Sequence, residues 1–163
     1  MTGTDRLLEN ARAYASGFDK ADLAMPPSTS VAVLACMDAR VVPSRILGLK
    51  EGEAHILRNA GGVVDDDAIR SLAISQNLLG TQEIILIHHT DCGMLTFTDD
   101  ELADRLEQET GQRPGWRAHA FADVEQDVRD SIARLHESPF IPKKESIRGF
   151  IYDVKTAELR EVG

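Results

Sequence analysis

Two short segments of the chain carry side chains that could do chemistry. Residues 36–40 read Cys-Met-Asp-Ala-Arg and residues 89–93 read His-Thr-Asp-Cys-Gly, and each segment directly follows an apolar run. Two cysteines and a histidine, here Cys36, His89 and Cys92, form a known catalytic zinc shell whose fourth position stays open. Soft sulfur ligands with an imidazole favour zinc over magnesium or calcium. The two segments therefore predict a metal site if the fold brings them together.

The two cysteines also have simpler explanations. A free cysteine at the end of a strand is most often just buried, and a Cys36–Cys92 disulfide, although possible, does not suit a cytosolic enzyme. Asp38 and Arg40 taken alone could be a surface ion pair. The placement of both segments directly after strands favours the functional interpretation over these alternatives.

Two adjacent histidines compete for the role of metal ligand. Neighbouring residues of a strand point to opposite faces of the sheet, so only one of His88 and His89 can face the site. The spacing to Cys92 favours His89. We expect His88 and His55 to be packed or hydrogen-bonded in the core.

Strands and helices alternate around these two segments. The continuous apolar run at residues 31–35 predicts a strand buried on both faces, which is typical of a parallel sheet. Residues 54–58 predict a second, weaker strand, and residues 83–88 predict a third. If the first and third strands are neighbours, both segments lie at carboxyl ends of strands, where open α/β sheets collect their ligands.

The remaining elements complete one α/β domain over residues 1–163. Apolar periodicity and capping residues predict helices over about residues 5–16, 65–79 and 122–136, and a further helix that begins at a capping box at residues 98–101. Residues 147–154 and 158–162 predict a strand pair that adds an antiparallel edge strand. The expected fold is a mostly parallel central sheet flanked by helices, with an N-terminal arm over residues 1–24.

Composition argues against several classes of partner. The chain has 18 basic and 27 acidic side chains and a net charge of −9, so general binding to nucleic acid or to anionic lipid is not expected. No run approaches the roughly 18 to 20 apolar residues that span a bilayer. The N-terminus carries Asp5 and Glu9 and lacks the apolar block of a signal peptide. We expect a cytoplasmic protein with reduced cysteines.

On these residues the sequence resembles the β-class carbonic anhydrases. The family pattern of Cys-x-Asp-x-Arg, followed some fifty residues later by His-x-x-Cys, stands here as Cys36, Asp38, Arg40, His89 and Cys92. The resemblance implies that the two cysteines and the histidine bind one Zn²⁺ per chain. It also implies that Asp38 and Arg40 form a catalytic dyad beside the metal.

The resemblance further implies an activity and an assembly. Members of the family hydrate carbon dioxide reversibly to bicarbonate by a zinc-bound hydroxide, and the backbone N–H of Gly93 could face a substrate oxygen. The family forms obligate dimers that often assemble further, so a homodimer or a homotetramer is expected. In the family the N-terminal helix lies across the partner subunit; the alternative is that it folds back on its own subunit.

Three positions depart from patterns found in parts of the family. Val33 stands where members with a bicarbonate pocket carry Trp, and Lys50 stands where plant-type members carry Gln. Asp91 lies between two ligands, as in a mycobacterial-type subgroup that also resembles carbonyl sulfide hydrolases. Without the Trp, we expect Asp38 to pair with Arg40 and to stay off the metal near neutral pH. Hydrolysis of carbonyl sulfide is the first alternative function, and a non-catalytic zinc-binding module is the second.

Overall fold

Five strands form one sheet in the computed structural model, which describes residues 2–163. They are β1 (Val31–Cys36), β2 (Ala54–Asn59), β3 (Glu83–His89), β4 (Ile147–Tyr152) and β5 (Leu159–Glu161). The order across the sheet is β2-β1-β3-β4-β5. Strands β1 to β4 run parallel, and β5 pairs antiparallel with β4 at the edge. The predicted mostly parallel sheet with one antiparallel edge strand is confirmed.

Strand β1 lies between β2 and β3, as its apolar sequence predicts. Residues 32–36 are all buried. Leu34 pairs with Leu57 of β2 on one side and with Leu86 of β3 on the other. Since parallel neighbours run in the same direction, their carboxyl ends lie at the same edge of the sheet. This register brings the two chemistry-bearing segments together.

Within the described residues, five α-helices connect and flank the strands. They are α1 (Gly3–Ser16), α2 (Pro43–Ile46), α3 (Asp66–Leu78), α4 (Asp99–Thr110) and α5 (Val124–Glu137). Side-chain caps determine where the longer helices begin: Asp65 accepts a hydrogen bond from the Ala68 N–H, and Thr98 and Glu101 form the predicted capping box. No helix within residues 2–163 is long and apolar enough to cross a bilayer.

The two faces of the sheet are covered to different extents. The main core lies where α3 and α5 pack on the strands, and its fully buried members include Leu34, Leu72, Leu86 and Leu135. The opposite face carries a smaller cluster, built on Val33, Ala35 and Ile87. Val33 and Leu34 belong to different clusters because successive strand residues point to opposite faces. The side of the sheet without α3 and α5 is therefore the more thinly covered one.

Helix α1 stands apart from this domain. None of the residues Gly3–Ser16 is buried, and Leu7 and Tyr14 expose more than half of their surface. Two hydrogen bonds tie the arm to the body: Glu51 accepts one from Tyr14 Oη (3.0 Å) and one from Lys20 Nζ (2.8 Å). The helix therefore does not bury its apolar face on its own subunit.

Candidate metal centre

The carboxyl ends of β1 and β3 bring two cysteines and one histidine together. Cys36 is the last residue of β1, His89 is the last residue of β3, and Cys92 follows three residues later. All three are buried, and their sulfur and ring-nitrogen atoms lie within 4.8 Å of one another. Neither cysteine is part of a disulfide. The three residues that the sequence suggests as ligands thus form a cluster that could hold one metal ion.

The ring of His89 offers one nitrogen to this cluster. Its Nδ1 lies 2.7 Å from the Thr90 carbonyl oxygen, which can only accept, so Nδ1 carries the proton and donates. In the neutral ring Nε2 then carries the lone pair, and this buried atom has no hydrogen-bond partner among residues 2–163. A buried polar atom without a partner is rare and costly. A hydrogen bond from the far ring nitrogen to a carbonyl is the usual way in which a metal-binding histidine is oriented, so His89 fits that role.

A hydrogen bond between the two sulfurs shifts the pKa values of the two cysteines in opposite directions. The hydrogen bond from Cys92 lowers the pKa of Cys36 to about 4, even though burial opposes this shift. The same hydrogen bond, together with burial, raises the pKa of Cys92. Cys36 is therefore the thiolate of the pair and Cys92 the thiol. A thiolate beside the free nitrogen of His89 is an arrangement that attracts a cation.

Asp38 and Arg40 form a two-pronged ion pair next to the cluster. Arg40 donates from Nη2 to Asp38 Oδ2 (2.7 Å) and from Nε to Oδ1 (3.0 Å), and its backbone N–H also donates to Oδ1 (2.9 Å). These hydrogen bonds hold the pKa of Asp38 well below its usual range, although burial opposes them. Asp38 Oδ2 lies 3.8 Å from Nε2 of His89. An ionised carboxylate therefore borders the position that a metal would occupy.

Asp91 contacts the same guanidinium. Arg40 Nη1 donates to Asp91 Oδ2 (2.8 Å), and Nη2 donates to the Asp91 carbonyl oxygen (2.9 Å). The φ of Asp91 is +53°, in the left-handed region where Asp and Asn are the most frequent residues after glycine. The sequence identifies Asp91 only as a feature of one subgroup. It does not predict the contact with Arg40, because that contact depends on the approach of two loops that are distant along the chain.

Arg58 is a residue whose role the sequence does not reveal. From the end of β2, its Nε donates to the Cys36 carbonyl (3.0 Å), and its Nη2 donates to the carbonyls of Asp38 and Val41, each at 2.7 Å. These three carbonyls belong to the last residue of β1 and to the loop that follows it. Arg58 thus fixes the backbone on both sides of the Asp38 side chain.

A glycine turn packs against the ends of β1 and β3. Gly62 has a φ of +66°, and a Cβ at this position would lie 2.8 Å from the backbone nitrogen of Cys36. Asn59 holds the turn, because its side chain accepts from the Val63 N–H (2.9 Å) and donates to the Val63 carbonyl (2.8 Å). Only glycine lets this turn approach the backbone that carries the first cysteine.

His88 and His55 lie outside the cluster, as expected from the sequence. His88 is fully buried, its Nε2 lies 2.6 Å from Asp127 Oδ2 on α5, and its ring lies 5.6 Å from that of Phe121. His55 Nδ1 lies 2.8 Å from Ser75 Oγ on α3. Of the two adjacent histidines, His89 alone faces the cysteines, in keeping with the alternation of side chains along β3.

Apolar side chains surround the sulfur atoms. Met94 is buried together with the two cysteines, and Phe97 and Phe121 pack against this group. A cavity of about 360 Å³ adjoins it, with Met94, Phe97 and Trp116 in its lining. Gly93, the residue that the sequence suggests for substrate contact, begins the short 3₁₀ turn Gly93–Leu95 directly after the second cysteine. Its contact with substrate stays a prediction.

Comparison with known proteins gives consistent matches. Residues 31–159 match the family model described as carbonic anhydrase. The relatives named Beta-carbonic anhydrase 1 from Mycobacterium bovis and Mycobacterium tuberculosis are each 59% identical over 162 residues, which covers 99% of this chain and 99% of theirs. The crystal structure of a carbonic anhydrase from Streptococcus mutans has a TM-score of 0.93 at 45% identity and covers 100% of this chain and 99% of that chain.

A sulfur-compound hydrolase is also similar to this chain. The relative named Carbon disulfide hydrolase from Saccharolobus solfataricus is 39% identical and covers 84% of this chain and 79% of its own length. The similarity therefore extends to proteins that are named for two different small substrates.

Proposed function

This chain belongs to the β-carbonic anhydrase family, and from that premise we propose that it hydrates carbon dioxide reversibly to bicarbonate at a zinc ion. The proposal assigns one zinc per chain to Cys36, His89 and Cys92. The observation that carries it is the buried Nε2 of His89, which has no hydrogen-bond partner among the described residues and lies beside two free thiols. A cation resolves the cost of leaving such a nitrogen unpartnered.

The donor atoms favour zinc over hard divalent cations. Sulfur and imidazole nitrogen suit zinc, whereas magnesium and calcium prefer oxygen ligands. Three protein ligands leave a fourth position free, which is typical of catalytic rather than structural zinc sites. When bound, zinc supplies a water whose pKa is lowered towards neutrality, and thus a hydroxide nucleophile at physiological pH.

Asp38 orients the attacking oxygen in this proposal. An ionised carboxylate only accepts hydrogen bonds, so Asp38 accepts one from the nucleophile and leaves a lone pair directed at the carbon of the substrate. Arg40 holds both carboxylate oxygens, at 2.7 and 3.0 Å, which fixes their direction. Arg40 also keeps the pKa of Asp38 low, so that the group stays ionised and does not become a donor.

The surroundings of the cluster suit a small apolar substrate. Carbon dioxide carries no charge, and Met94 and Phe97 provide an apolar approach to the sulfurs. We assign the backbone N–H of Gly93, next to Cys92, to an oxygen of the substrate, because a bound oxygen needs a donor once it leaves water.

Hydrolysis of carbonyl sulfide is the second candidate function. It is supported by the carbon disulfide hydrolase relative, since carbonyl sulfide, carbon disulfide and carbon dioxide are all linear molecules with an electrophilic carbon. Carbon dioxide is favoured because the relatives at 59% identity over 99% of the chain are named carbonic anhydrases. A non-catalytic zinc module would need neither Asp38 nor Arg40.

We also propose that the chain acts as a homodimer or a homotetramer, with residues 1–24 as an arm that packs on the partner subunit. The exposed apolar side chains of α1 support this assembly, because an apolar face of that kind gains about 25 cal/mol per Å² when a partner covers it. Since both ligand cysteines must stay reduced to bind metal, a cytoplasmic location suits the enzyme.

Metal analysis combined with turnover of both substrates tests the function. We expect one zinc per purified chain and faster hydration of carbon dioxide than hydrolysis of carbonyl sulfide. Cys92→Ser should lose the metal, whereas His55→Asn, which changes a histidine outside the cluster, should keep it. A zinc-free protein from zinc-supplemented cells, or turnover of carbonyl sulfide alone, would refute the proposal.

A further inference from the structure

The guanidinium of Arg40 is held by two carboxylates rather than one. Its Nε–Nη2 edge binds both oxygens of Asp38, and its Nη1–Nη2 edge binds the side chain and the backbone carbonyl of Asp91. These contacts use four of the five N–H donors that an arginine side chain has. Arg40 therefore has two anchors, and only one of them belongs to the proposed dyad.

We propose that Asp91 is a positioning residue that acts through Arg40: it anchors the guanidinium so that the opposite edge presents a fixed pair of donors to Asp38. The inference rests on the proposed function, since Asp38 is the group whose direction then matters. Asp91 itself touches neither the cluster sulfurs nor His89 Nε2 through any hydrogen bond recorded among residues 2–163.

A second anchor matters because Arg40 is long and partly in water. Its side chain is 47% exposed. A free arginine side chain has many rotamers to lose when it is held in place, and an ion pair with a solvent-exposed partner contributes little stability. The Asp38 carboxylate is only 18% exposed and accepts two side-chain hydrogen bonds from Arg40, whereas the Asp91 carboxylate is 71% exposed, so Asp91 adds the weaker of two restraints. With Asp91 on the other edge, two ion pairs restrict the same group.

The backbone of Asp91 makes this anchor specific. Its left-handed conformation (φ +53°) directs the carbonyl to Arg40 Nη2 while the carboxylate binds Nη1 of the same group. Asp91 lies between His89 and Cys92, and Arg40 follows Cys36 in the other loop. One guanidinium thus links the loops that follow β1 and β3, next to all three metal-binding candidates.

Two variants separate the side chain from the backbone conformation. Asp91→Gly removes the carboxylate and keeps the left-handed conformation without strain. Asp91→Asn keeps that conformation and an acceptor oxygen but removes the charge. We expect kcat/KM for carbon dioxide hydration to fall about two- to fivefold in Asp91→Gly, mainly in kcat, and less in Asp91→Asn. Zinc content should stay unchanged, and Asp67→Asn, which alters a carboxylate about as exposed as that of Asp91 and paired with Arg70, should match the wild type.

A double-mutant cycle tests whether Asp91 acts through Arg40. If it does, Asp91→Gly should change kcat/KM by less than about 1.5-fold in an Arg40→Ala background, because the anchored group is already gone. An equal loss in both backgrounds indicates a general structural role and overturns the proposal. Wild-type activity in the Asp91→Gly single variant overturns it as well.

Hydrogen exchange at the Arg40 side chain supplies a measurement that does not depend on activity. The Nε–H of Arg40, followed by ¹H–¹⁵N NMR in zinc-free and zinc-loaded protein, should exchange with water at least twofold faster in Asp91→Gly than in the wild type or in Asp67→Asn. An unchanged rate overturns the positioning role. Faster exchange in a protein that does not hydrate carbon dioxide supports the anchor and refutes the proposed function, so the two failures are distinguishable.

Discussion

The carboxylate of Asp38 lies 3.8 Å from the ring nitrogen Nε2 of His89, too far for a hydrogen bond and close enough to border the same cation. Both groups are directed by partners on their far sides, His89 by the Thr90 carbonyl and Asp38 by Arg40. The two side chains therefore have separate roles: the His89 nitrogen is free to bind metal, and the Asp38 carboxylate is free to accept a hydrogen bond from a neighbouring oxygen.

Replacement of Asp38 by Asn should separate these roles. We expect Asp38→Asn to retain about one zinc per chain and to lose on the order of 10- to 100-fold in kcat/KM, because the carboxylate orients the reaction and does not complete the ligand set. Elemental analysis and stopped-flow hydration assays measure both quantities. Asp100→Asn changes a fully exposed carboxylate and should affect neither. Loss of zinc from Asp38→Asn would contradict this division of roles.

Removal of the Arg58 side chain should weaken metal binding, although Arg58 is not one of the proposed ligands. Arg58→Ala leaves the carbonyls of Cys36, Asp38 and Val41 without their common donor, so the loop after β1 becomes more mobile. We expect zinc affinity, measured by competition with a chelator, to fall about tenfold. Arg58→Lys should restore only part of it, since one ammonium cannot reproduce the planar set of donors. Arg70→Ala is the control and should keep the wild-type zinc affinity. If the two alanine variants bind zinc equally well, Arg58 has no specific role in holding the metal-binding residues.

Alanine at Gly62 should destabilise the fold more than alanine at an uncrowded glycine. Gly80 also has a positive φ (+79°) but has no atom within 4 Å of an added Cβ, whereas the Cβ at Gly62 would lie 2.8 Å from Cys36 N. Gly80→Ala should therefore cost about 1–2 kcal/mol for backbone strain alone. Gly62→Ala should cost roughly 1–3 kcal/mol more, because the neighbouring backbone must move. Urea denaturation measures both, and equal costs would show that the close approach is unimportant.

The tether of the N-terminal arm should depend on pH only in strong acid. The hydrogen bond from Lys20 lowers the pKa of Glu51 to about 2, against about 4.3 for an unfolded glutamate. Because the folded value is the lower one, the tether contributes fully above the unfolded pKa and is lost as the pH falls from about 4.3 through about 2. A ¹³C NMR titration of the Glu51 carboxyl should give this low midpoint. Lys20→Met should raise the midpoint, and Lys50→Met should not; an ordinary midpoint in the wild type would contradict the tether.

Charges on the apolar face of α1 should weaken the proposed assembly. The double variant Leu7→Asp, Leu8→Asp places two carboxylates on a surface that we expect a partner subunit to cover. Light scattering after gel filtration should show a dimer or tetramer for the wild type and a mass near 17.9 kDa for the variant. Arg12→Asp, on the same helix, should stay assembled. A monomeric wild type would refute the assembly.

The sheet could be predicted from the sequence because its central strands are continuous apolar runs. Along residues 31–35 and 83–88, apolar and polar side chains do not alternate. Such a run is typical of a strand that is buried on both faces. The two short segments lie at the carboxyl ends of these runs. If the two strands are neighbours, Cys36, His89 and Cys92 are therefore predicted to lie close together. Since successive strand residues point to opposite faces, the sequence also predicts that only one of His88 and His89 faces the site.

The supporting contacts of the site could not be predicted in the same way. Arg58 donates to backbone carbonyl oxygens. Because every residue has such a carbonyl, residue types do not predict which ones Arg58 contacts. Asp91 binds a side chain that lies 51 positions away along the chain. Both contacts depend on the exact approach of loops, which hydrophobic periodicity does not determine.

The placement of the cluster at two strand ends also links metal capture to the order of folding. Cys36 and His89 are 53 residues apart (89 − 36 = 53), and α2, β2 and α3 lie between the two parallel strands that carry them. The ligand set does not exist until that long connection has closed and the two strands have paired, which is a slow kind of contact to form. For the proposed zinc site, we therefore expect metal uptake during refolding to coincide with the pairing of β1 and β3, and metal removal to break a cross-link that spans about a third of the chain.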